Sequence, residues 1–295
     1  PLKGYAKIGG GITFDYRESN ANKMTISCGH CIGCRLKRSK EWAVRIMHEA
    51  SLHEHNQFLT LTYAPEHLPR SGSLEISHFQ KFMKRYRKAV GPLRFFHCGE
   101  YGEKLSRPHY HAIIFGHAFT DLRLLRPGLF TSPTLASLWG KGFVTIGDVT
   151  TESAAYVARY VVKKQYGKSS DDHYRTIDYE TGETVPVRPE YVTMSRNPGI
   201  ASDWYQKFKG DVHPSDEVIL KGIRYPTPRY YDKLLEREYP DDLEKLKARR
   251  KETAKKFAHE NTPERLATRK LVQQLKMKKL VREYENNDSQ SLHRL

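Results

Sequence analysis

Two histidines separated by a single residue, His109 and His111, lie in the run Arg107-Pro108-His109-Tyr110-His111-Ala112-Ile113-Ile114-Phe115. The apolar residues that follow predict a strand, where side chains alternate between faces. Both imidazoles then point one way and Tyr110 the other. Neutral imidazole ligates several divalent metals, and a third ligand is at hand upstream in Glu100 or Glu103. Glu100 is the better choice, because its strand is expected to pair with the histidine strand. Its carboxylate adds the hard oxygen that suits Mg²⁺ or Mn²⁺. Such an ion can polarise a phosphate and stabilise charge developing on it. The competing readings are two ordinary strand histidines facing solvent, or a non-haem iron site of two histidines and a carboxylate.

A second group is Tyr156-Val157-Ala158-Arg159-Tyr160, followed by Lys163 and Lys164. Residues four apart on a helix share a face, so the two phenols are neighbours. Ala154, Val157, Ala158 and Val161 fall on one side of a helical wheel. The tyrosines fall on another, with Arg159, Lys163 and Lys164 beside them. A phenol, with a pKa of about 10, is a poor nucleophile at neutral pH. Nearby cations favour phenolate, and a metal activates the phosphate it attacks. The product is a phosphotyrosine ester, which stores the energy of the broken bond, so resealing needs no ATP. Two tyrosines permit two successive transfers. The alternative is that both are packing residues at a helix edge.

The third group is Cys28-x2-Cys31-x2-Cys34. Three thiolates suit zinc, which takes four ligands in a structural site. Cys98 is the remaining cysteine and the first candidate for the fourth ligand, because His30 sits too close to the cluster. Free structural thiols are the next reading. An iron–sulfur run lacks its fourth cysteine and proline here.

These groups sit in a chain of 295 residues with 38% hydrophobic content and a net charge of +16. Charge of that sign points to nucleic acid, and basic residues recur beside aromatics, as in Lys84-Arg85-Tyr86-Arg87 and Arg229-Tyr230-Tyr231. It argues against the iron reading. No apolar run is long enough to span a bilayer, and no secretory leader is visible. Three of the four cysteines within seven positions do not resemble a disulfide framework. A cytoplasmic location, with no membrane partner, is expected.

The elements that position these residues follow from periodicity. Residues 1 to 27 read as irregular. A helix is expected over about 39–52, a strand at Phe58–Tyr63, and a second helix opened by a Ser77/Gln80 capping box with Phe79, Phe82, Met83, Tyr86 and Val90 on its apolar face. Its lysines and arginines read as a solvated face. Strands follow at 94–101 and 109–115, paired as a hairpin, then at 142–149. Thr150 or Thr151 caps the tyrosine helix. The order predicts an α+β fold, an antiparallel sheet with flanking helices. Four segments are expected: residues 1–40 with the cysteine cluster, 41–168 as the main domain, 169–240 as a hairpin about Thr181-Gly182 and an irregular extension, and 241–295 as a basic helical tail. That tail has 15 Lys plus Arg against 9 acidic residues, and a short apolar stripe of Met277, Leu280, Val281 and Tyr284.

Taken together these residues resemble the HUH endonuclease superfamily, and more closely the replication initiators of gokushovirus-type microviruses. The likeness extends from Pro1 to about Ile200. Its carriers are Pro1-Leu2-Lys3-Gly4-Tyr5, Cys28-Gly29-His30-Cys31-Ile32-Gly33-Cys34-Arg35, Phe58-Leu59-Thr60-Leu61-Thr62-Tyr63, Cys98-Gly99-Glu100-Tyr101-Gly102-Glu103-Lys104, the two motifs above, and Met194-Ser195-Arg196-Asn197-Pro198-Gly199-Ile200. The resemblance implies an RRM-like palm and rolling-circle replication. One strand of the supercoiled replicative form is nicked at the phage origin, the 5′ end is held on tyrosine, and rejoining releases a single-stranded circle. It implies that His109, His111 and Glu100 hold Mg²⁺ or Mn²⁺ and that Tyr156 and Tyr160 are nucleophiles. Tyr160 with Lys163 matches the Tyr-x-x-Lys of single-tyrosine relatives, whereas Tyr156 has Arg159. Arg107, Arg159 and Lys164 are expected on DNA, with a host helicase and polymerase as partners in the bacterial cytoplasm. Relatives often carry a further cysteine shortly before the segment matching Pro1-Leu2-Lys3, so a preceding stretch with the fourth thiolate is expected. A relaxase or transposase of the same superfamily, and a non-enzymatic zinc-dependent DNA-binding protein, are the other readings.

Overall fold

The computed structural model describes residues 2–7, 12–29, 31–102, 106–163, 174–178 and 181–278. The chain forms a smaller unit drawn from Pro1–Arg38 and Thr262–Val281 and a larger one containing Ser39–Asn261. In the smaller unit β1 (Leu2–Lys7) pairs antiparallel with β2 (Ile12–Thr13) on one side and β3 (Ser19–Ile26) on the other. This corrects the irregular reading of residues 1 to 27. Those strands are glycine-rich and polar, so they lack the apolar alternation that marks a strand in sequence.

The larger unit is built on a seven-stranded antiparallel sheet. Its centre is β4 (Asn56–Thr62), with β5 (Arg94–Tyr101) and β6 (Pro108–Phe115) joined as the expected hairpin. Two short strands, β7 (Arg123–Arg126) and β8 (Leu129–Thr131), and then β9 (Val144–Asp148) extend the sheet beyond β4. The β7–β8 register shifts between Leu124 and Arg126. On the opposite edge, β12 (Tyr191–Met194) pairs with β5. Every residue of β6 is buried, because helices cover both faces of the sheet. That explains why it reads as a nearly continuous apolar run rather than an alternating one.

One face of the sheet, with Phe58, Phe96, Cys98, Ile113 and Phe115, packs against Val44 and Ile46 of α1 (Ile32–Ala50) and Ala154, Val157 and Ala158 of α4 (Thr151–Lys163). The other face, with Leu59, Leu61, Tyr110, Ala112 and Ile114, packs against Phe79, Phe82, Met83 and Tyr86 of α2 (Ile76–Val90) and Leu135 and Trp139 of α3 (Pro133–Trp139). The α+β expectation therefore holds. Two boundaries differ. Helix α1 begins at Ile32 and so takes Cys34 into its first turn. Helix α2 is capped at Glu75 with no side-chain bond, so Ser77 and Gln80 form no capping box. At α4 the cap is as expected: Ser153 N–H donates to Thr150 Oγ1 at 3.1 Å.

Residues beyond 169 contain the expected hairpin, β10 (Arg175–Ile177) with β11 (Thr184–Pro186). They also supply more than an irregular extension. Besides β12, they form α5 (Ser202–Ser215), a hairpin of β13 (Glu217–Leu220) and β14 (Ile223–Pro226), and α6 (Arg229–Glu238). Tyr205 and Tyr231 of these helices are buried in the same core as α1 and α4. The tail is helical over α7 (Pro240–Lys256) and α8 (Pro263–Lys278). The Met277–Tyr284 stripe lies outside the described side chains.

A charged clasp draws Pro198–Ala201 onto the sheet. Arg94 donates to Pro198 O and Gly199 O at 2.9 and 3.1 Å, and Arg45 donates to Ile200 O at 2.9 Å. Glu49 accepts from Arg94 and from Ala201 N–H. Burial alone would raise the Glu49 carboxyl, but those donors hold it below the ordinary carboxylate range. Its contribution to stability is therefore present above the unfolded pKa and fades as pH falls through the lower folded value. Arg94→Met strands a buried carboxylate and is expected to cost about 3 kcal/mol, read from urea unfolding at neutral pH. An unchanged midpoint would refute the clasp.

Candidate active site

The β5–β6 register sets Glu100 directly opposite His109, and Cys98 opposite His111. Alternation along both strands then turns Glu100, His109 and His111 to one face, with Tyr110 on the other. Glu100 Oε1 lies 2.7 Å from His109 Nε2 and 2.8 Å from His111 Nε2. Glu100 is fully buried, and the histidines are nearly so. The outer nitrogens are held as well. His109 Nδ1 donates to Arg107 O at 3.1 Å, and His111 Nδ1 is hydrogen-bonded to Thr60 Oγ1 at 3.0 Å. Phe58 stacks on His111 with ring centroids 5.4 Å apart.

These contacts decide what the triad can accept. A carbonyl oxygen only accepts, so the His109 Nδ1 carries the proton and the neutral ring presents a lone pair at Nε2. Two lone pairs facing each other at 2.7 Å require a cation or a proton between them. Burial alone would raise the Glu100 carboxyl, yet the charge and hydrogen bonds of the two histidines hold it well below the usual range. The three ligand atoms lie within 4.8 Å of one another. A second set of groups behind the imidazoles, here Arg107 O and Thr60 Oγ1, is what metal-binding histidines require. The donor set fits a divalent cation. Glu103 lies outside the described residues.

Tyr156 closes the site from α4. Its hydroxyl donates to Glu100 Oε1 at 3.4 Å, and its ring meets His111 edge-on at 5.2 Å. The Arg159 guanidinium lies 5.4 Å from the centre of that ring. Tyr156 is 2% exposed, which corrects the helical-wheel reading that set it off the apolar side. A wheel allows for one covered face, whereas the core around α4 also takes in Ile200 and Tyr205. Tyr160 and Lys163 follow one and two turns later in the same helix. Their side chains and the whole of Lys164 lie outside the described residues. Arg107 Nη2 donates to Tyr63 O at 2.9 Å, which ties the start of β6 to the end of β4.

The cysteine group is separate in the chain. Cys28, Cys31 and Cys34 form one set able to hold a metal. Cys28 Sγ and Cys34 Sγ are 4.0 Å apart, and Cys31 N–H donates to Cys28 Sγ at 3.3 Å. Cys98 is not a member. It is fully buried on β5 among Phe58, Phe96 and Ile113. His30 lies outside the described residues.

Sequence reasoning overlooked Thr60 as part of the site. Its one sequence signal is a hydroxyl at alternate spacing in an otherwise apolar strand, Phe58-Leu59-Thr60-Leu61.

Residues 56–165 match the family described as replication-associated protein ORF2. The chain is 34% identical over 264 residues to the replication-associated protein ORF2 of Spiroplasma virus 4, covering 82% of this chain and 78% of that one. It is 31% identical over 275 residues to the replication-associated protein VP4 of Bdellovibrio phage phiMH2K, covering 88% and 83%. It is 32% identical over 249 residues to the replication-associated protein ORF4 of Chlamydia phage 1, covering 79% and 59%. The chain belongs to the family of microvirus replication-associated proteins. No solved structure matches it significantly.

Thr60→Val keeps the shape of the strand and removes the partner of His111 Nδ1. It is expected to weaken Mn²⁺ binding about 10- to 100-fold, measured by calorimetric titration, with Thr60→Ser restoring most of the affinity. Wild-type affinity in Thr60→Val would show that the hydroxyl does not orient the ligand.

Proposed function

We propose that this protein initiates rolling-circle replication of a phage genome by cutting one DNA strand and holding the new 5′ end on tyrosine. The observation that carries this reading is the Tyr156 hydroxyl at 3.4 Å from Glu100 Oε1, beside two imidazoles that share that oxygen. Membership of a replication-associated family, and a net charge of +16, support DNA as the substrate.

A tyrosine oxygen attacks the phosphorus of the scissile phosphodiester. The bond from phosphorus to O3′ breaks, and its electron pair leaves with O3′, which takes a proton to become a free 3′-hydroxyl. The 5′ phosphate is now esterified to the phenol. Tyr156 turns its hydroxyl hydrogen toward Glu100 Oε1, which leaves the lone pairs of the phenol oxygen open to phosphorus. A divalent ion, Mg²⁺ or Mn²⁺, held by Glu100, His109 and His111 would polarise the phosphate and stabilise the charge that develops there. Burial of Glu100 fixes its carboxylate in one place, so no reorganisation is needed as charge builds. Tyr160, one turn on, supplies the second acceptor for the transfer that releases a circle, with Lys163 and Lys164 on the same stretch. Arg107, Arg159 and Lys164 contact the strand. The free 3′-hydroxyl would serve a host polymerase, with a host helicase opening the replicative form in the bacterial cytoplasm. No helix among the described residues is long and apolar enough to cross a membrane.

The three clustered thiols fit zinc, which would staple the N-terminal segment. Protein purified without chelator is expected to carry about one zinc per chain, and Cys31→Ser is expected to lose it, both by elemental analysis. Zinc retained in full by that variant would remove Cys31 from the ligand set.

The decisive assay incubates circular single-stranded DNA with protein and Mn²⁺ and runs a denaturing gel before and after protease. A protease-sensitive adduct is expected from the wild type. It should be absent from Tyr156→Phe/Tyr160→Phe, and absent from the wild type in EDTA, with DNA binding by the variant largely intact. An adduct persisting in the double variant would sink the nucleophile assignment.

A further inference from the structure

Outside the catalytic site, the smaller unit presents to solvent two aromatic side chains separated by one residue. Phe14 is 65% exposed and Tyr16 is 61% exposed. They stand in the segment that follows β2, and local bonds fix its shape: Asp15 N–H donates to Thr13 Oγ1 at 3.1 Å, and Arg17 N–H donates to Asp15 Oδ1 at 2.9 Å. The Asp15 carboxylate is thereby engaged by the backbone of the same turn. Tyr5 of β1 meets Tyr16 edge-on, with centroids 5.4 Å apart. That contact braces Tyr16 from inside the sheet and leaves most of its surface open.

Single exposed aromatics are ordinary. Two on one braced turn, in a strongly basic segment, are a different matter. Residues 1–38 contain seven Lys or Arg and two acidic residues, and Arg17, Lys37 and Arg38 are exposed. Open rings with surrounding positive charge are what a single-stranded nucleic acid recognises. Unpaired bases stack on the rings while the phosphates meet the cations, and a paired duplex offers no free base faces.

We propose that Phe14 and Tyr16 form a stacking platform for unpaired bases of single-stranded DNA, separate from the residues that cut it. The choice of DNA rests on the function proposed above, but the test does not depend on cleavage. Full-length protein is titrated into a fluorescein-labelled mixed-sequence oligonucleotide, single-stranded or annealed to its complement, without added Mg²⁺ or Mn²⁺, and anisotropy is followed. Phe14→Ala/Tyr16→Ala is expected to bind the single strand about tenfold or more weakly, and to bind the duplex like the wild type. Phe14→Trp should keep wild-type affinity, and its added indole emission should be quenched when the single strand binds. Single-strand affinity unchanged in the double variant would overturn the platform. So would equal losses on both DNAs, or indole emission from Phe14→Trp that the single strand leaves unquenched. Any of these results could occur with covalent adduct formation intact, so this proposal and the catalytic one fail separately.

Discussion

The pairing register of β5 with β6 is the constraint on which the site depends. It sets Glu100 against His109 and brings both histidines onto the face that α4 covers. A slip of one residue would send all three ligands to the opposite side of the sheet, into the cluster of Phe79, Phe82 and Trp139. Burial on both faces makes such a slip costly, because every side chain of β6 would have to exchange a filled core for another of different shape. Gly99 reinforces the alignment. A Cβ there would lie 2.8 Å from Tyr191 Cε1, so β12 can seat its tyrosine over β5 only because that position has no side chain.

From this frame the chemistry follows in layers. The strands fix the ligand atoms, the loop carbonyl of Arg107 and the hydroxyl of Thr60 fix the imidazoles, and α4 brings a phenol to the shared carboxylate oxygen. The reciprocal cap of Thr150 and Ser153 starts α4 directly after β9. The position of Tyr156 is thus referred back to the same sheet that holds the histidines. The Arg94–Glu49–Arg45 clasp serves the same unit from the other end of β5, where it fastens the Pro198–Ala201 segment.

Much of this was legible in the sequence. The His-x-His strand and the β5–β6 hairpin have strong apolar patterns and a short link, and Glu100 follows from them. What escaped did so for physical reasons. Strands β7, β8 and β12 are three or four residues long and only partly buried, too short to display a period. In β1 and β3 the glycines and polar residues conceal the alternation. The burial of Tyr156 depends on what covers α4 from beyond the sheet, including residues some fifty positions later, and no local window contains that information. Thr60 looked like any β-branched strand residue, because its role is set by a partner 51 positions away.

The two margins of the seven-stranded sheet are finished differently. On one side the β5 backbone is occupied by β12. On the other, β7 is four residues long, slips its register near Arg126, carries an arginine at each end and runs directly into Pro127. Leu124 and Leu125 are exposed there, and an open strand with leucines would ordinarily template association with a second molecule. Brevity, a bulge, positive charge and proline each spoil that template. The protein can thus keep a wide, fully paired centre without offering a border along which copies would polymerise.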